Sequence, residues 1–156
     1  MPHQPSARSR VDIDPDFYDL LVGSYRRLSG QYLTPPGSDA HWLYEEAPMA
    51  VLAHDGRADP RFIYANRAAQ ACFEYGWDEL VGLPSRLLAL PDAQAERQRM
   101  LDEVAHRGIS FGYRGLRVAK SGRTFWIEDG VIWQLIAPDG SIRGQAATFS
   151  APGITG

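Results

Sequence analysis

The chain has 156 residues, of which 44% are hydrophobic and 22% charged, and its formal net charge is −3. This length and composition predict one globular domain with a substantial core. The slightly acidic balance argues against a nucleic-acid-binding surface, and no apolar run approaches membrane-spanning length. Cys72 is the single cysteine, which excludes an internal disulfide, and the polar N-terminus has no secretory signal pattern. We therefore expect a cytoplasmic protein that contacts neither nucleic acid nor membrane.

The first element predicted along the chain is a helix. Residues 1–14 are polar and contain prolines, so they are expected to form a flexible tail, and residues 151–156 are expected to form a second tail. Asp14 and Pro15 form a favourable helix start, and an apolar stripe at helical spacing continues to Leu28. This N-terminal helix either packs on its own domain or pairs with a second subunit. The domain itself is expected to span residues 15–150.

Further helices are predicted between residues 38 and 107. Ser38 or Asp39 is a candidate cap for a short helix that Pro48 ends. Asn66 is expected to cap a helix from Arg67 to Phe73, with Gly76 as its stop. A helical turn at Trp77–Leu80 and a longer helix at Ala93–Arg107, capped by Asp92, complete the set.

Five segments have the pattern of strands. They are residues 49–54, 61–65, 110–119, 124–136 and 142–149. The last three are joined by the tight turns Lys120-Ser121-Gly122 and Pro138-Asp139-Gly140, which predict antiparallel hairpins. Together the five segments predict a five-stranded antiparallel sheet.

The segment Phe62–Leu88 combines a strand, an Asn cap, a small-residue helix, an aromatic-Gly-aromatic turn and Asp-Glu-Leu-Val-Gly. This order is similar to the centre of a PAS domain, and the chain resembles the MEKHLA domain family, which is PAS-like, more closely still. The residues that carry the likeness span roughly 17–150: Leu43-Tyr44-Glu45-Glu46-Ala47-Pro48, His54-Asp55, Asp59-Pro60, Tyr64-Ala65-Asn66-Arg67-Ala68-Ala69, Leu83-Pro84-Ser85-Arg86, Tyr113-Arg114-Gly115-Leu116-Arg117 and Gly144-Gln145-Ala146-Ala147. The resemblance implies an α+β fold: a PAS-like five-stranded antiparallel sheet with flanking helices, here with an N-terminal helical extension. It implies no defined activity.

Signals of catalysis and of metal binding are missing from the sequence. Ser85 lacks the Gly-x-Ser-x-Gly elbow of a nucleophile, and no partner base is evident near it. The four histidines have no metal-ligand spacing, and no Gly-rich phosphate loop is present. We expect a protein that is not an enzyme and holds no metal.

The segment Gly82–Leu88 resembles the flavin signature of light-sensing PAS domains, in which a cysteine stands at the place of Ser85. A hydroxyl is a poor substitute for the thiol that adds to flavin, and Cys72 lies outside the motif. Ile127 also stands where the resemblance implies an Asn. We therefore expect no flavin and no other cofactor, while an unidentified small ligand is compatible with the pattern. Arg86 stands where related sensors meet a phosphate, but it would serve equally well in a structural salt bridge.

Charged and aromatic residues occupy the predicted strands after residue 108. On uninterrupted strands Arg114 shares a face with Leu116 and Val118, and Glu128 shares one with Trp126 and Ile132. If these faces look inward, the charges must be paired, because an isolated buried ion is costly. The residues either form an Arg–Glu cross-strand pair or anchor a small acidic ligand at Arg114 or Arg117. The candidate pocket residues are Tyr64, Asn66, Arg86, Arg114, Arg117, Trp126, Glu128, Trp133 and Gln145.

Two functions are compatible with these observations. The first is a non-catalytic PAS-like sensory or interaction module that binds a small molecule between sheet and helices and signals through protein contacts, as a homodimer or with a protein partner. The second is a homodimeric structural adaptor with a filled core and no ligand. A polar-lined cavity would favour the first, and a solid core with a broad apolar face would favour the second.

Overall fold

A computed structural model describes residues 14–90 and 94–150. The predicted tails, apart from Asp14, and the predicted cap Asp92 lie outside these residues. The elements in chain order are helix α1 Pro15–Ser29, a π-helical turn Trp42–Glu46, strand β1 Met49–Asp55, strand β2 Phe62–Ala65, helix α2 Arg67–Phe73, helix α3 Trp77–Leu80, a 3₁₀ turn Ser85–Leu88, helix α4 Gln94–Arg107, and strands β3 Ile109–Val118, β4 Thr124–Ile136 and β5 Ile142–Ser150. This order confirms the predicted α+β class.

The five strands form one antiparallel sheet in the order β2-β1-β5-β4-β3. Strand β5 lies between β1 and β4, so that Ala147 pairs with Leu52 on one side and Ile132 on the other. The sheet therefore has two long faces. We call the face covered by α2 and α4 the inner face, and the face covered by α1 and the π-helical turn the outer face.

Each face has its own apolar core. The inner core gathers side chains from the sheet and from α2 to α4, including Leu52, Phe73, Met100, Ile127 and Phe149. The outer core gathers a separate set, including Leu21, Leu43, Tyr64, Trp77 and Trp133. Since successive side chains of a strand point to opposite faces, neighbours such as Ala146 and Ala147 enter different cores.

Helix α1 packs on its own domain, which is the first of the two positions considered for it, while pairing with a second subunit stays a prediction. The Trp133 indole N–H donates to the Leu21 carbonyl at 3.1 Å, and the rings of Trp133 and Tyr25 meet edge to face at 4.9 Å. The helix begins at Asp14, whose carboxylate accepts the Asp16 N–H at 2.9 Å. It ends at Gly30, whose left-handed φ of 76° suits glycine. Local capping signals thus set the ends of α1, and the contacts with Trp133 and Tyr25 fix the helix on the outer core.

Two of the predicted helices differ from the expectation. Helix α2 ends at Phe73 and is closed by Glu74 in the left-handed region, so the prediction that Gly76 stops it is wrong. Gly76 instead precedes α3, where its N–H donates to the Glu79 carboxylate at 2.8 Å. The short helix after Asp39 is a π-helical turn, although Asp39 does cap it by accepting the Trp42 N–H at 2.9 Å.

The register of β3 and β4 corrects the predicted face assignment. Tyr113 pairs with Gly130 and Gly115 pairs with Ile127, so β4 carries one extra residue between these pairs. Asp129 lies in this bulge with a φ of 53°. The bulge reverses the alternation of side chains between the two faces of β4. As a result, Glu128 lies on the outer face with Trp126, whereas Ile132 enters the inner core. The expectation that Glu128 and Ile132 share a face is therefore wrong.

Candidate functional site

A cavity of about 440 Å³ lies between the inner face of the sheet and the helices. This volume is within the range of small-molecule sites in proteins. Strands β1, β3, β4 and β5 supply its floor, and the 3₁₀ turn and α4 supply its opposite wall. The inner core is consequently not filled from side to side.

The walls of the cavity are mainly apolar. Its lining includes Phe62, Phe73, Leu88, Met100, Ile127, Ile132 and Phe149. These side chains reach it because they lie on the sheet face that borders the cavity or on the covered sides of the helices and the 3₁₀ turn. An apolar molecule entering the cavity would exchange water for these side chains, which is favourable.

Three arginines and one aspartate are the charged residues among the described lining residues. Arg86 pairs with that aspartate, Asp59, at 3.2 Å, with both side chains about half exposed or more. The structural salt bridge considered for Arg86 is therefore present. Arg97 of α4 and Arg117 of β3 form no ion pair with a carboxylate within residues 14–90 and 94–150.

Arg117 is held in place by Tyr113, which lies four residues earlier on the same strand. One terminal nitrogen of Arg117 donates to the Tyr113 hydroxyl at 3.3 Å, and the other donates to the Leu116 carbonyl at 3.0 Å. The guanidinium also lies 5.5 Å from the centre of the Tyr113 ring. Gly115 makes this possible, since a Cβ there would lie 2.5 Å from the Tyr113 hydroxyl. The ring lies along the strand only because residue 115 has no side chain.

Two further polar side chains meet on the cavity floor. His54 of β1 pairs with Gln145 of β5 in the sheet, and the side-chain nitrogens Nε2 of the two residues are 3.5 Å apart. The other ring nitrogen of His54 lies 2.9 Å from the Asp55 carbonyl. Ser85, at the start of the 3₁₀ turn, also lines the cavity. The cavity thus offers hydrogen-bonding groups from both the sheet and the helical wall.

Of the nine residues predicted to line a pocket, the structure brings Arg86, Arg117 and Gln145 to this cavity. Whether any of them meets a ligand stays a prediction. The other six lie elsewhere: Tyr64, Asn66 and Trp133 are buried in the fold, and Arg114, Trp126 and Glu128 lie on the outer face.

Asn66 connects three elements. Its side-chain oxygen accepts the N–H groups of Val51 and Ala69, both at 3.0 Å. Its side-chain nitrogen donates to the carbonyls of Leu43 at 3.1 Å and Met49 at 3.0 Å. With all four hydrogen bonds made inside the protein, Asn66 has no free group for a ligand. The predicted role as cap of α2 is confirmed, and the predicted place in the pocket is wrong.

Tyr64 and Trp133 belong to the outer core, on the side of the sheet away from the cavity. Tyr64 meets the rings of Phe17 at 5.2 Å and Trp77 at 5.9 Å. Trp133 is fully buried beneath α1. Both residues were expected on the cavity side, and their burial under α1 and the π-helical turn explains why they are not there.

Arg114, Trp126 and Glu128 form an exposed group on the outer face. Arg114 pairs with Glu128 at 3.1 Å, and its guanidinium lies 3.7 Å from the centre of the Trp126 ring. The two charged side chains are 50% and 59% exposed. The cross-strand pair considered for them is present, but in solvent, where such a pair contributes little to stability.

The lining of the cavity does not fit thiol–flavin chemistry. Ser85 brings a hydroxyl to the wall, whereas Cys72, the single thiol of the chain, is buried in the inner core and is not a lining residue. Burial raises the pKa of the Cys72 thiol, which disfavours the reactive thiolate.

The cavity is also lined by three residues that were not among the predicted pocket residues: Tyr113, His54 and Arg97. Tyr113 had a signal, because Tyr113-Arg114-Gly115-Leu116-Arg117 places a glycine between an aromatic residue and an arginine on one face. No sequence signal indicates His54 or Arg97, because the residues that face them across the cavity are distant in the chain.

Among residues 14–90 and 94–150, no group of three or more His, Cys, Asp and Glu side chains is placed to hold a metal ion. None of the helices in the described ranges has the length and hydrophobicity needed to cross a membrane.

Comparisons with known proteins place these observations in a family. The pattern of the MEKHLA domain family matches residues 16–152, which is most of the chain. No curated protein matches the chain.

Solved structures with a similar fold are PAS and light-oxygen-voltage domains. The PAS domain of a protein from Colwellia psychrerythraea superposes with a TM-score of 0.59 at 17% identity, covering 69% of this chain and 89% of that chain. A light-oxygen-voltage domain studied with a flavin analogue gives a TM-score of 0.54 at 20% identity, covering 64% and 74%. The light state of the Aureochrome1 LOV domain gives 0.56 at 17% identity, covering 68% and 84%. At these identities the likeness shows the fold alone.

Proposed function

The chain belongs to the MEKHLA domain family and has a PAS-like fold, and on this premise we propose that it is a non-catalytic sensory module. In this proposal a small molecule occupies the cavity between the inner face and the helices. The cavity of about 440 Å³ is the observation that supports it most strongly. Its apolar walls and few converging polar groups are typical of small-molecule sites.

The same cavity makes the alternative function less well supported. A homodimeric structural adaptor was expected to have a filled core and a broad apolar surface. The inner core is bordered by a cavity, and the apolar centre of the outer face is covered by α1. Homodimer formation, and the identity of any protein partner, stay predictions.

Strand β4 offers a route from the cavity to α1. Ile132 lines the cavity, and its neighbour Trp133 contacts α1 on the opposite face through the Leu21 carbonyl and the Tyr25 ring. A ligand that shifts β4 would therefore change how α1 packs on the outer face. In the proposed mechanism this change alters how α1 or the outer face meets a protein partner. Hydrogen exchange of α1 should change when the cavity is filled, and unchanged exchange would contradict this route.

Filling the cavity tests the proposal. Ala147 lines the cavity from the centre of the sheet, so Ala147→Phe should occupy the space that a ligand would use. The purified protein is examined by native mass spectrometry for retained small molecules and for subunit number, and is titrated with the neutral apolar dye Nile red. Thr124→Phe is the control, because it adds the same ring at an exposed strand position.

We expect the wild-type protein and Thr124→Phe to bind the dye and Ala147→Phe to bind it at least about tenfold more weakly, because the added ring competes for the same volume. Equal binding by wild type and Ala147→Phe would contradict the proposal. It would also be contradicted if the wild-type protein neither retained a molecule nor bound the dye.

A further inference from the structure

The cavity wall carries more positive than negative side chains. Arg86 is neutralised by Asp59, but Arg117 and Arg97 face the cavity without a carboxylate partner in the described part of the chain. This local excess of positive charge occurs in a protein whose formal net charge is −3. A semi-buried guanidinium normally has an anionic partner, because its desolvation is otherwise uncompensated.

Arg117 is positioned more firmly than a solvent-exposed arginine. It is partly buried, and its contacts with Tyr113 and the Leu116 carbonyl fix the plane of the guanidinium. These contacts use two of its five N–H groups, which leaves three for another molecule. A planar guanidinium with free N–H groups matches the geometry of a carboxylate.

Tyr113 supplies an independent observation. The residue is only 3% exposed and lines the cavity. Its hydroxyl oxygen accepts the bond from Arg117, and the hydroxyl hydrogen has no acceptor within residues 14–90 and 94–150. A buried hydroxyl that lacks an acceptor can donate to an anion bound beside Arg117. The absence of a side chain at Gly115 permits this position of the hydroxyl, because a Cβ there would lie 2.5 Å from it.

The rest of the lining defines the other end of the ligand. Beyond Arg117 and Tyr113, the walls are formed by side chains such as Phe73, Met100 and Ile132, which favour an apolar body. A highly charged molecule would leave most of its polar groups unpaired among these side chains. One anionic group and one apolar body therefore describe the occupant best.

We propose that the ligand of this cavity is an amphipathic organic carboxylate. Its carboxylate accepts hydrogen bonds from Arg117 and the Tyr113 hydroxyl, and its apolar body lies among the inner-core side chains. Arg97 adds a second positive charge at the wall contributed by α4. This inference rests on the proposed function and specifies its ligand class.

A matched pair of probes tests the carboxylate. Decanoate and decanamide have the same hydrocarbon chain and differ in the charge of the head group. Each is titrated into the full-length protein and its displacement of Nile red is measured. The variants are Arg117→Gln, Arg117→Lys and Tyr113→Phe. The matched control is Arg114→Gln, which removes the same charge from the outer face of the same strand.

We expect wild type and Arg114→Gln to bind decanoate at least about tenfold more tightly than decanamide, because charge-assisted hydrogen bonds are worth that much. Arg117→Gln should abolish this preference, Arg117→Lys should retain part of it, and Tyr113→Phe should reduce it several-fold. Thermal unfolding of each variant establishes that it is folded.

Two results would overturn the inference. The first is equal affinity of the wild-type protein for decanoate and decanamide, and the second is a preference that survives Arg117→Gln. If Nile red still binds in the cavity in either case, the ligand-binding function stands and only the carboxylate assignment fails. If neither the dye nor decanoate binds, the proposed function fails with it.

Discussion

The two faces of the sheet are packed in different ways. On the outer face, Trp133, Tyr64 and Leu21 are almost completely buried, and a depression beside α1 has no volume that a water molecule could enter. On the inner face, helices of 7 and 14 residues and a 3₁₀ turn line a cavity of about 440 Å³. The outer face is thus packed without usable space, whereas the inner face keeps a cavity beside its core.

The largest expected effect comes from removing the aromatic contact of the outer face. Trp133→Ala deletes a fully buried ring, its hydrogen bond to Leu21 and its contact with Tyr25. We expect a loss of roughly 3–5 kcal/mol in the free energy of unfolding, measured by urea denaturation.

The neighbouring Ile132→Ala sharpens the comparison, because it deletes a side chain at the cavity wall. Its cost should lie at the lower end of roughly 2–5 kcal/mol, since one side of Ile132 already lacks packing partners. A cost equal to that of Trp133→Ala would contradict the difference between the faces.

The smallest expected effect concerns exposed contacts that attach the inner helices to the β3–β4 hairpin. Hydrogen bonds from Ser121 and from Arg123, at 3.0 Å, hold the pKa of Glu74 below its usual value of 4.5. A lowered carboxyl pKa stabilises the fold above the unfolded-state pKa, and this contribution is lost as the pH falls through the lower, folded-state value. Stability should therefore decrease with acid in that range.

Glu74→Gln tests this contribution through the pH dependence of stability. The variant should show a shallower decrease in the free energy of unfolding between about pH 5 and about pH 3, which is the range in which carboxylates titrate. Its effect at neutral pH should be small, because exposed ion pairs contribute little. An unchanged acid slope would show that Glu74 has the same pKa in the folded and unfolded states.

Local signals in the sequence were sufficient for much of the fold. Asp14 and Asn66 precede their helices as caps because a short polar side chain reaches the free N–H groups of the first turn. Tight turns with Gly122 and Gly140 separate the strands after residue 108 as expected. The caps and turns depend on residues close to each other in the chain, so they can be predicted from the sequence.

The positions of the site residues depended on information that is not local. The bulge at Asp129 reverses the alternation of β4, and no residue type near it indicates a bulge unambiguously. Arg114 and Arg117 are three positions apart and so point to opposite faces, but sequence alone does not say which face is covered. The bonds of Asn66 to the Leu43 and Met49 carbonyls come from elements brought together only by folding.

The difference between the faces is tested most directly by one pair of substitutions. Ala146 and Ala147 are adjacent in β5, and their side chains enter the outer core and the inner cavity respectively. Ala146→Phe should lower the free energy of unfolding by about 1–3 kcal/mol or more, because the outer core has no space for the ring. Ala147→Phe should change it by less than about 1 kcal/mol, because the ring enters the cavity. Equal losses for the two variants in urea denaturation would show that the inner face is as tightly filled as the outer face, and would contradict the existence of a ligand cavity.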